Sequence, residues 1–196
     1  MRDTVAFRRV TLRQELQAVA AFWDEQFRET APYLSTRNGE LTWLECSYVF
    51  AGFCGDRVVA ACRLSPHHPT LGWEASIDLD PALLARFDAC RCAQLNRVAV
   101  ERSARNWGLH ERLFYELSVS VLREDRFDAF FSIVREPYLR LYKPWGIEPV
   151  TDTAIVLSSR GERSYRIVAG QIARTYALLD QALNGACDDM AERMTA

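Results

Sequence analysis

The sequence lacks the long apolar run that a membrane span or a secretion signal requires. Residues 1–9 include three arginines and no continuous apolar stretch. No later segment approaches the roughly 18 apolar residues of a transmembrane helix. These absences predict a cytoplasmic protein with no membrane partner.

An excess of charge of one sign is also missing. The chain carries 24 basic and 26 acidic residues, mixed along its length, for a net charge of -2. Nearly all of the basic residues are arginine, since Lys143 is the single lysine. A protein that binds nucleic acid concentrates positive charge on one face or segment. We therefore expect no nucleic-acid partner.

The cysteines are too scattered for a disulfide scaffold or a metal centre. A chain of 196 residues, 49% of them hydrophobic, can bury a core without covalent links, so we expect reduced thiols. Cys90 and Cys92 could be combined with His67 and His68 into a zinc site, but their C-x-C spacing departs from the usual C-x2-C, and we predict no metal. The six cysteines are Cys46, Cys54, Cys62, Cys90, Cys92 and Cys187.

Internal repeats, low-complexity tracts and linkers are absent as well. The length suits one domain that spans residues 1–196. Its core is expected at about residues 5–170, followed by a helix at about 171–184 and an acidic tail at 185–196. The oligomeric state stays open, a homodimer included.

Hydrophobic periodicity predicts alternating strands and helices. A long segment before the fourth strand, residues 65–91, is expected to cover one face of the sheet, with Asp80 capping a helix that begins at Pro81. The predicted strands are 5–10, 47–53, 57–64, 94–100, 127–134, 151–157 and 165–168; the predicted helices are 12–27 after a Thr11 cap, 81–87, 109–121, 137–142 and 172–183.

Residues 94–110 combine a buried strand, a turn and the start of a helix. Leu95, Val98 and Val100 supply the strand character, and residues 105–108 supply a cation, loop amides and a glycine. Helical spacing of apolar residues begins at Leu109. The N-terminus of a helix after such a turn is a ready site for phosphate, so this segment predicts a pyrophosphate cradle.

The order of elements and this turn together resemble the Gcn5-related N-acetyltransferase superfamily over about residues 5–170. The superfamily's cofactor signature reads Arg or Gln, two residues, Gly, one residue, then Gly or Ala. Arg105, Gly108 and His110 stand at these positions. His110 departs from the signature, which has Gly or Ala at this position, and its side chain would crowd or contact the pyrophosphate.

A second likeness lies at residues 141–147 (LYKPWGI), which look like the superfamily's Tyr-x-x-x-Gly-Phe segment with Ile147 for Phe.

The resemblance implies an α/β (α+β) fold in which helices flank a mixed, mostly antiparallel sheet whose central parallel strands splay apart. It also implies an acyltransferase that moves an acyl group, most simply acetyl, from acyl-CoA to an amine of a small molecule or a protein. The implied cofactor-binding residues are Val98, Ala99, Val100, Arg105, Asn106, Trp107, Gly108, Leu109 and His110.

The same resemblance assigns the catalytic steps. Amides of the fourth strand would polarise the thioester carbonyl, and Tyr142 would protonate the departing thiolate, since a phenol pKa of about 10 lies near that of a simple thiol. No residue stands out as the base: Glu74 and Glu45 are candidates, and an amine that arrives neutral needs none.

Two other interpretations remain open. Residues 63–66 (RLSP) and 94–97 (QLNR) look similar to acyl-homoserine-lactone synthases and long-chain N-acyl amino acid synthases, which take long acyl groups from acyl carrier protein. That branch has Glu-x-Ser/Thr-Arg, of which only Arg97 is kept here, so a short acyl-CoA is the expected donor. Arg63 and Arg97 could instead pair with acidic residues.

The other interpretation is a catalytically inactive member of the superfamily that binds CoA or a partner protein. The presence of His110 in place of a small residue favours it.

Overall fold

The computed structural model describes residues 4–29, 31, 44, 46–157, 160, 161 and 163–185. Strands and helices alternate along much of this part of the chain, as the periodicity predicted. The strands are β1 Val5–Val10, β2 Tyr48–Cys54, β3 Arg57–Pro66, β4 Cys92–Val100, β5 Ala129–Arg135, β6 Glu148–Pro149, β7 Ile155–Val156 and β8 Ser164–Gln171; the α-helices are α1 Arg13–Phe27, α2 Pro81–Leu84, α3 Leu109–Glu124, α4 Leu139–Tyr142 and α5 Ile172–Leu183.

All eight strands belong to one sheet, in the order β1-β2-β3-β4-β5-β8-β6, with β7 also paired to β8. Neighbouring strands are antiparallel except β4 and β5, which are parallel. These two pair only between residues 92–94 and 129–131, although β4 continues to Val100 and β5 to Arg135. The prediction of a mixed, mostly antiparallel sheet with splayed central strands is therefore confirmed.

Helices cover both faces of this sheet. On the first face, α3 and α5 pack through Leu113, Phe114 and Leu179 against β-strand residues such as Phe130. On the second face, α1 buries Trp23 in one apolar cluster, and the 65–91 segment covers another. Because side chains alternate along a strand, Arg63 also faces the second side, since Cys62 and Leu64 belong to the core of the first.

The 65–91 segment lies on the second face, as predicted. The Trp73 ring meets Phe131 edge to face at 5.0 Å, and Phe87 stacks on the same ring at 4.2 Å. Asp80 caps α2 by accepting a hydrogen bond from the amide of Ala82 at 2.8 Å. These aromatic contacts make the segment part of the core.

The helix predictions need three corrections. Thr11 does not cap α1: Leu12 takes the N-cap position and no side chain there bonds to the helix. The helix predicted at 81–87 ends at Leu84. The stretch predicted as one helix at 137–142 consists of a 3-10 turn, Glu136–Tyr138, followed by α4.

The last strands also differ from the prediction. Residues 151–157 contribute only Ile155–Val156, because Thr151 Oγ1 donates to the carbonyl of Thr153 at 3.1 Å and turns the chain before β7. β6 was not predicted; it has two residues and contains a proline, so it carries no periodic signal. Within the described ranges, no helix is long and apolar enough to cross a membrane.

Candidate active site

The splay of β4 and β5 opens a cavity of about 320 Å³ that passes through the sheet. Its walls come from both faces: Leu95 and Val134 belong to the core on the α3 side, whereas Glu74 and Tyr165 lie on the side of the 65–91 segment. The lining residues discussed below are Glu74, Asn96, Arg97, Val98, Ala99, Val100, Arg105, His110, Arg135, Tyr138, Tyr142, Arg160 and Tyr165. We call this cavity the central cleft.

A β-bulge in β4 lies on the wall of the central cleft. Ala99 pairs with Ala61 and Asn96 with Arg63, so Arg97 and Val98 together oppose the single residue Cys62. Arg97 has a φ of 50°, which is uncommon for a residue other than glycine. A bulge leaves a backbone amide outside the ladder. An amide at this point can therefore donate to a group bound in the cleft.

The predicted phosphate turn borders the same cleft. A 3-10 turn, Arg102–Trp107, follows β4, and Gly108 then adopts the left-handed conformation (φ 69°) that turns the chain into α3. A Cβ on Gly108 would meet only Glu111 Oε2, at 4.0 Å, so the glycine leaves the space above the turn open. The first amides of α3 have no partner within the helix. The arrangement fits a pyrophosphate, with the helix dipole adding positive potential.

The predicted cofactor-binding residues divide into three groups. Val98, Ala99, Val100, Arg105 and His110 line the central cleft. Asn106, Trp107 and Gly108 are exposed on the turn beside it, while Leu109 points its side chain into the core and offers only its backbone.

His110 lies in the first turn of α3 and faces the cleft. Burial lowers the pKa of its imidazole, and the nearby Arg105 guanidinium lowers it further, against the opposing effect of Glu111. The ring is therefore neutral at pH 7 and can act as a hydrogen-bond donor without adding charge. This explains how a histidine is accommodated where a small residue was expected: it occupies the wall of the cleft.

Tyr142 ends α4 with its ring wedged between two aromatic side chains. Phe114 of α3 lies 5.8 Å away and Trp145 lies 5.6 Å away, both edge to face. The residue also lines the cleft. Desolvation raises the pKa of its phenol well above the ordinary value, and the Cys62 thiol and Tyr138 phenol add to the shift. The phenol is therefore neutral at pH 7 and is a weaker acid than the ordinary phenol assumed in the sequence analysis, so its pKa is not matched to that of a simple thiol.

Glu74 is held in a buried cluster on the opposite side of the cleft. Its Oε2 accepts hydrogen bonds from Nη2 of Arg63 and, at 2.7 Å, from Nδ2 of Asn96. Arg97 Nη2 lies 3.9 Å from the other oxygen, Oε1. The expected pairing of Arg63 and Arg97 with an acidic residue is confirmed. Glu45, the other base candidate, lies outside the described residues.

Two arginines on the second face were not predicted as site residues. Arg160 donates to Asp78 Oδ2 through Nε at 2.9 Å and Nη2 at 2.5 Å, a buried pair that joins the β7–β8 connection to the 65–91 segment. Arg135 ends β5 and also lines the cleft. Neither arginine lies in a motif, so no sequence signal marks them.

The cysteines and histidines considered as zinc ligands are placed differently from a metal centre. Cys92 is buried in β4, where desolvation raises the pKa of its thiol to about 12, whereas Cys90 is exposed. His68 Nδ1 accepts hydrogen bonds from the amides of Thr70 and Leu71. Among the residues that the structure describes, no three or more His, Cys, Asp or Glu side chains group as metal ligands.

The fold is shared with several solved structures. The N-acyl amino acid synthase FeeM from uncultured soil microbes superimposes with a TM-score of 0.66 at 13% identity, over 88% of this chain and 93% of FeeM. BjaI, a CoA-dependent acyl-homoserine lactone synthase, gives 0.70 at 17% identity, over 91% and 89%. An N-acetyltransferase from Staphylococcus aureus Mu50 gives 0.61 at 14% identity, over 86% and 99%.

No protein-family model and no curated protein sequence matches the chain. The structural likeness nevertheless covers 86–91% of the chain. The protein therefore has the fold of the Gcn5-related N-acetyltransferases, as its element order and motifs predicted.

Replacing Arg105 by Ala should weaken CoA binding by about 1–3 kcal/mol, because one charge-assisted contact to a phosphate is lost. Isothermal titration calorimetry with CoA measures the change. Arg102→Ala is the matched control, since Arg102 is exposed on the same 3-10 turn and does not line the cleft. If both substitutions weakened CoA binding equally, Arg105 would act only through its general positive charge and not through a specific contact with a phosphate.

Replacing Gly108 by Val should abolish CoA binding, because the side chain fills the space above the turn and the left-handed backbone resists a β-branched residue. Gly55→Val is the control, since Gly55 has a φ of 60° in the β2–β3 turn with nothing within 4 Å of its Cβ. Both variants should lose about 1–2 kcal/mol of unfolding free energy. Only Gly108→Val should lose CoA; retained affinity would contradict the cradle.

Proposed function

We propose that this protein is an N-acyltransferase that transfers an acyl group from acyl-CoA to the amine of a small molecule or protein. One observation carries the proposal: the central cleft extends from Arg105, on the turn predicted to bind phosphate, to the half-buried phenol of Tyr142. A thioester held between β4 and β5 would have its phosphates at the turn and its sulfur near the phenol. The fold of FeeM, BjaI and the staphylococcal N-acetyltransferase supports the same class of reaction.

The bulge in β4 supplies the electrostatic part of the mechanism. When the amine nitrogen attacks the thioester carbon, negative charge develops on the carbonyl oxygen. We assign the donation of a hydrogen bond to that oxygen to an amide of Val98 or Ala99, two residues that line the cleft beside the bulge. Such a donor is pre-organised and loses no freedom during the reaction, which is why one donor of this kind contributes about 3–4 kcal/mol in other acyl transfers.

Tyr142 supplies the proton for the leaving group. As the carbon–sulfur bond breaks, the phenol protonates the thiolate. The tyrosinate then recovers a proton from the new amide nitrogen, directly or through water, so that the enzyme ends the cycle unchanged. The raised pKa of Tyr142 keeps the phenol protonated at pH 7 in the resting enzyme, so the proton is present when the carbon–sulfur bond breaks.

Glu74 serves better as a positioning group than as the base considered from the sequence. Its carboxylate is already engaged by Arg63 and Asn96 and faces Arg97, so protonating it would leave buried positive charges opposed. Arg97 is also the residue with the left-handed backbone in the bulge. We therefore assign Glu74 the role of holding the bulge in register, and the acceptor amine arrives neutral.

The donor is a short acyl-CoA. Trp73 and Phe87, which could have covered an acyl tunnel, pack on Phe131 instead, and Leu84 belongs to the same apolar cluster. None of the three lines the cleft. BjaI, a CoA-dependent synthase whose structure contains isopentyl-CoA, favours a longer or branched acyl group as the second candidate. The likeness of residues 63–66 and 94–97 to long-chain N-acyl amino acid synthases adds acyl carrier protein as the alternative carrier of that group.

Tyr142→Phe should lower kcat by about 10²-fold with little change in KM, because the lost hydrogen bond belongs to the transition state. Steady-state assays of thiol release measure both constants. Tyr176→Phe removes a phenol outside the cleft and should leave them unchanged. Near-normal turnover in Tyr142→Phe would restrict that residue to packing.

Glu74→Gln should lower the unfolding free energy by about 3 kcal/mol, because a buried ion pair loses one charge, whereas Glu116→Gln, which breaks a surface pair with Arg112, should cost under about 0.5 kcal/mol. Urea unfolding compares them. The acyl-transfer rate of Glu74→Gln should still fall at acid pH, because that fall reflects protonation of the acceptor amine and not of Glu74. Loss of that fall would make Glu74 the base.

Among acyl-CoAs from C2 to C12, kcat/KM should be highest for the shortest chains, because Trp73 and Phe87 pack on Phe131 and do not form the wall of an acyl tunnel that continues from the cleft. Each methylene that did find a buried site would instead add about 0.8 kcal/mol. The same acyl groups on carrier protein form the second arm. Reaction of carrier-bound long chains alone would favour the second candidate, and no reaction with any donor would favour an inactive CoA-binding protein.

A further inference from the structure

One cation on the second face of the central cleft, Arg135, has no role in the proposed steps of acyl transfer. Arg135 is half-buried at the end of β5, and it lines both the cleft and an adjoining surface groove formed with Arg163 and Ser164. Its guanidinium lies 5.5 Å from the centre of the Tyr138 ring. This contact orients the side chain while leaving its N–H donors available.

Strand register places Arg135 on the face away from α3. Arg135 stands opposite Tyr165 of β8, and residues directly opposite in an antiparallel pair point to the same side of the sheet. Tyr165 packs in the cluster of Trp73 and Phe131. The phosphate turn belongs to the other face, with α3. The acyl donor and Arg135 therefore approach the reacting carbon from opposite sides, and Arg135 lies on the side left for the acceptor.

Three acidic side chains on this side of the cleft are engaged by other arginines. Glu136 accepts from Arg166 Nη2 at 3.1 Å, and Asp78 is bound by Arg160. Glu74 is bound by Arg63. Within the part of the chain that the structure describes, Arg135 makes no ion pair. A half-buried guanidinium in a cleft wall is stabilised when a bound anion places a negative charge beside it.

We infer that the acceptor is an amine that also carries a carboxylate, as a free amino acid does, and that Arg135 binds this carboxylate. The inference rests on the proposed acyl transfer and narrows its acceptor to the amino-carboxylate class. The planar fork of Arg135 matches two carboxylate oxygens, which fixes the orientation of the substrate and brings its amine toward the bulge of β4. Arg135 is thus a specificity-determining residue.

The test compares each of the twenty standard amino acids with its carboxamide, in acyl transfer from acetyl-CoA and in calorimetric binding to the protein saturated with CoA. At least one amino acid should exceed its amide about 10- to 100-fold in kcat/KM and in affinity. Arg135→Ala should remove this preference by weakening the acid alone, and Arg135→Lys should keep part of it because the charge stays without the fork.

Arg140→Ala is the matched control, since Arg140 is exposed on α4 and does not line the cleft; it should leave the preference intact. Unchanged CoA affinity in Arg135→Ala assigns the lost anion contact to the acceptor, whereas weaker CoA binding would mean that Arg135 binds a CoA phosphate and would overturn the inference. Equal behaviour of acids and amides in the unmodified protein overturns it as well. Binding of an amino acid through Arg135 without acyl transfer would refute the proposed function alone.

Discussion

The structure of the site depends on one interruption of backbone hydrogen bonding. β4 and β5 are parallel and pair at only three positions before they diverge. Buried backbone N–H and C=O groups need partners, so strands that separate in the middle of a sheet leave groups to be satisfied by water or by a bound molecule. The bulge at Arg97 and Val98 adds an amide released from β3 on the same wall. The cleft is consequently lined by backbone donors in the centre of a sheet whose edges are far away.

Polar side chains keep the splayed strands in place from the second face. The cluster of Arg63, Glu74 and Asn96 ties β3 and β4 to the 65–91 segment, and Gln94 accepts a hydrogen bond from the amide of Ala75 at 2.9 Å. Buried ion pairs add little net stability, because desolvation offsets most of the attraction. Their effect here is geometrical: they specify how the segment lies and hold Arg97 in a backbone conformation that would otherwise relax.

The two ends of the cleft differ in their electrostatics. At the turn before α3, Arg105 and the helix N-terminus favour anions, while His110 stays neutral because burial and Arg105 lower its pKa. At the other end, Tyr142 is desolvated against Phe114 and Trp145, which raises its pKa and keeps the phenol neutral. The proposed reaction would use the first end for binding and the second for proton transfer.

Local patterns in the sequence determined the six longer strands, the main helices, the turn at Gly108 and the Asp80 cap, because each rests on contacts between residues a few positions apart. The tertiary structure alone decided the partners of Glu74, since Arg63 and Arg97 reach it from two different strands, and the placement of Arg135 and Arg160 in the cleft wall. It also decided where β5 diverges from β4, because the apolar sequence of residues 127–134 does not indicate over what length a neighbouring strand pairs with it. Strand pairing between distant segments, unlike the period of one segment, is set by the packing of the whole sheet, and the cleft arises from that pairing.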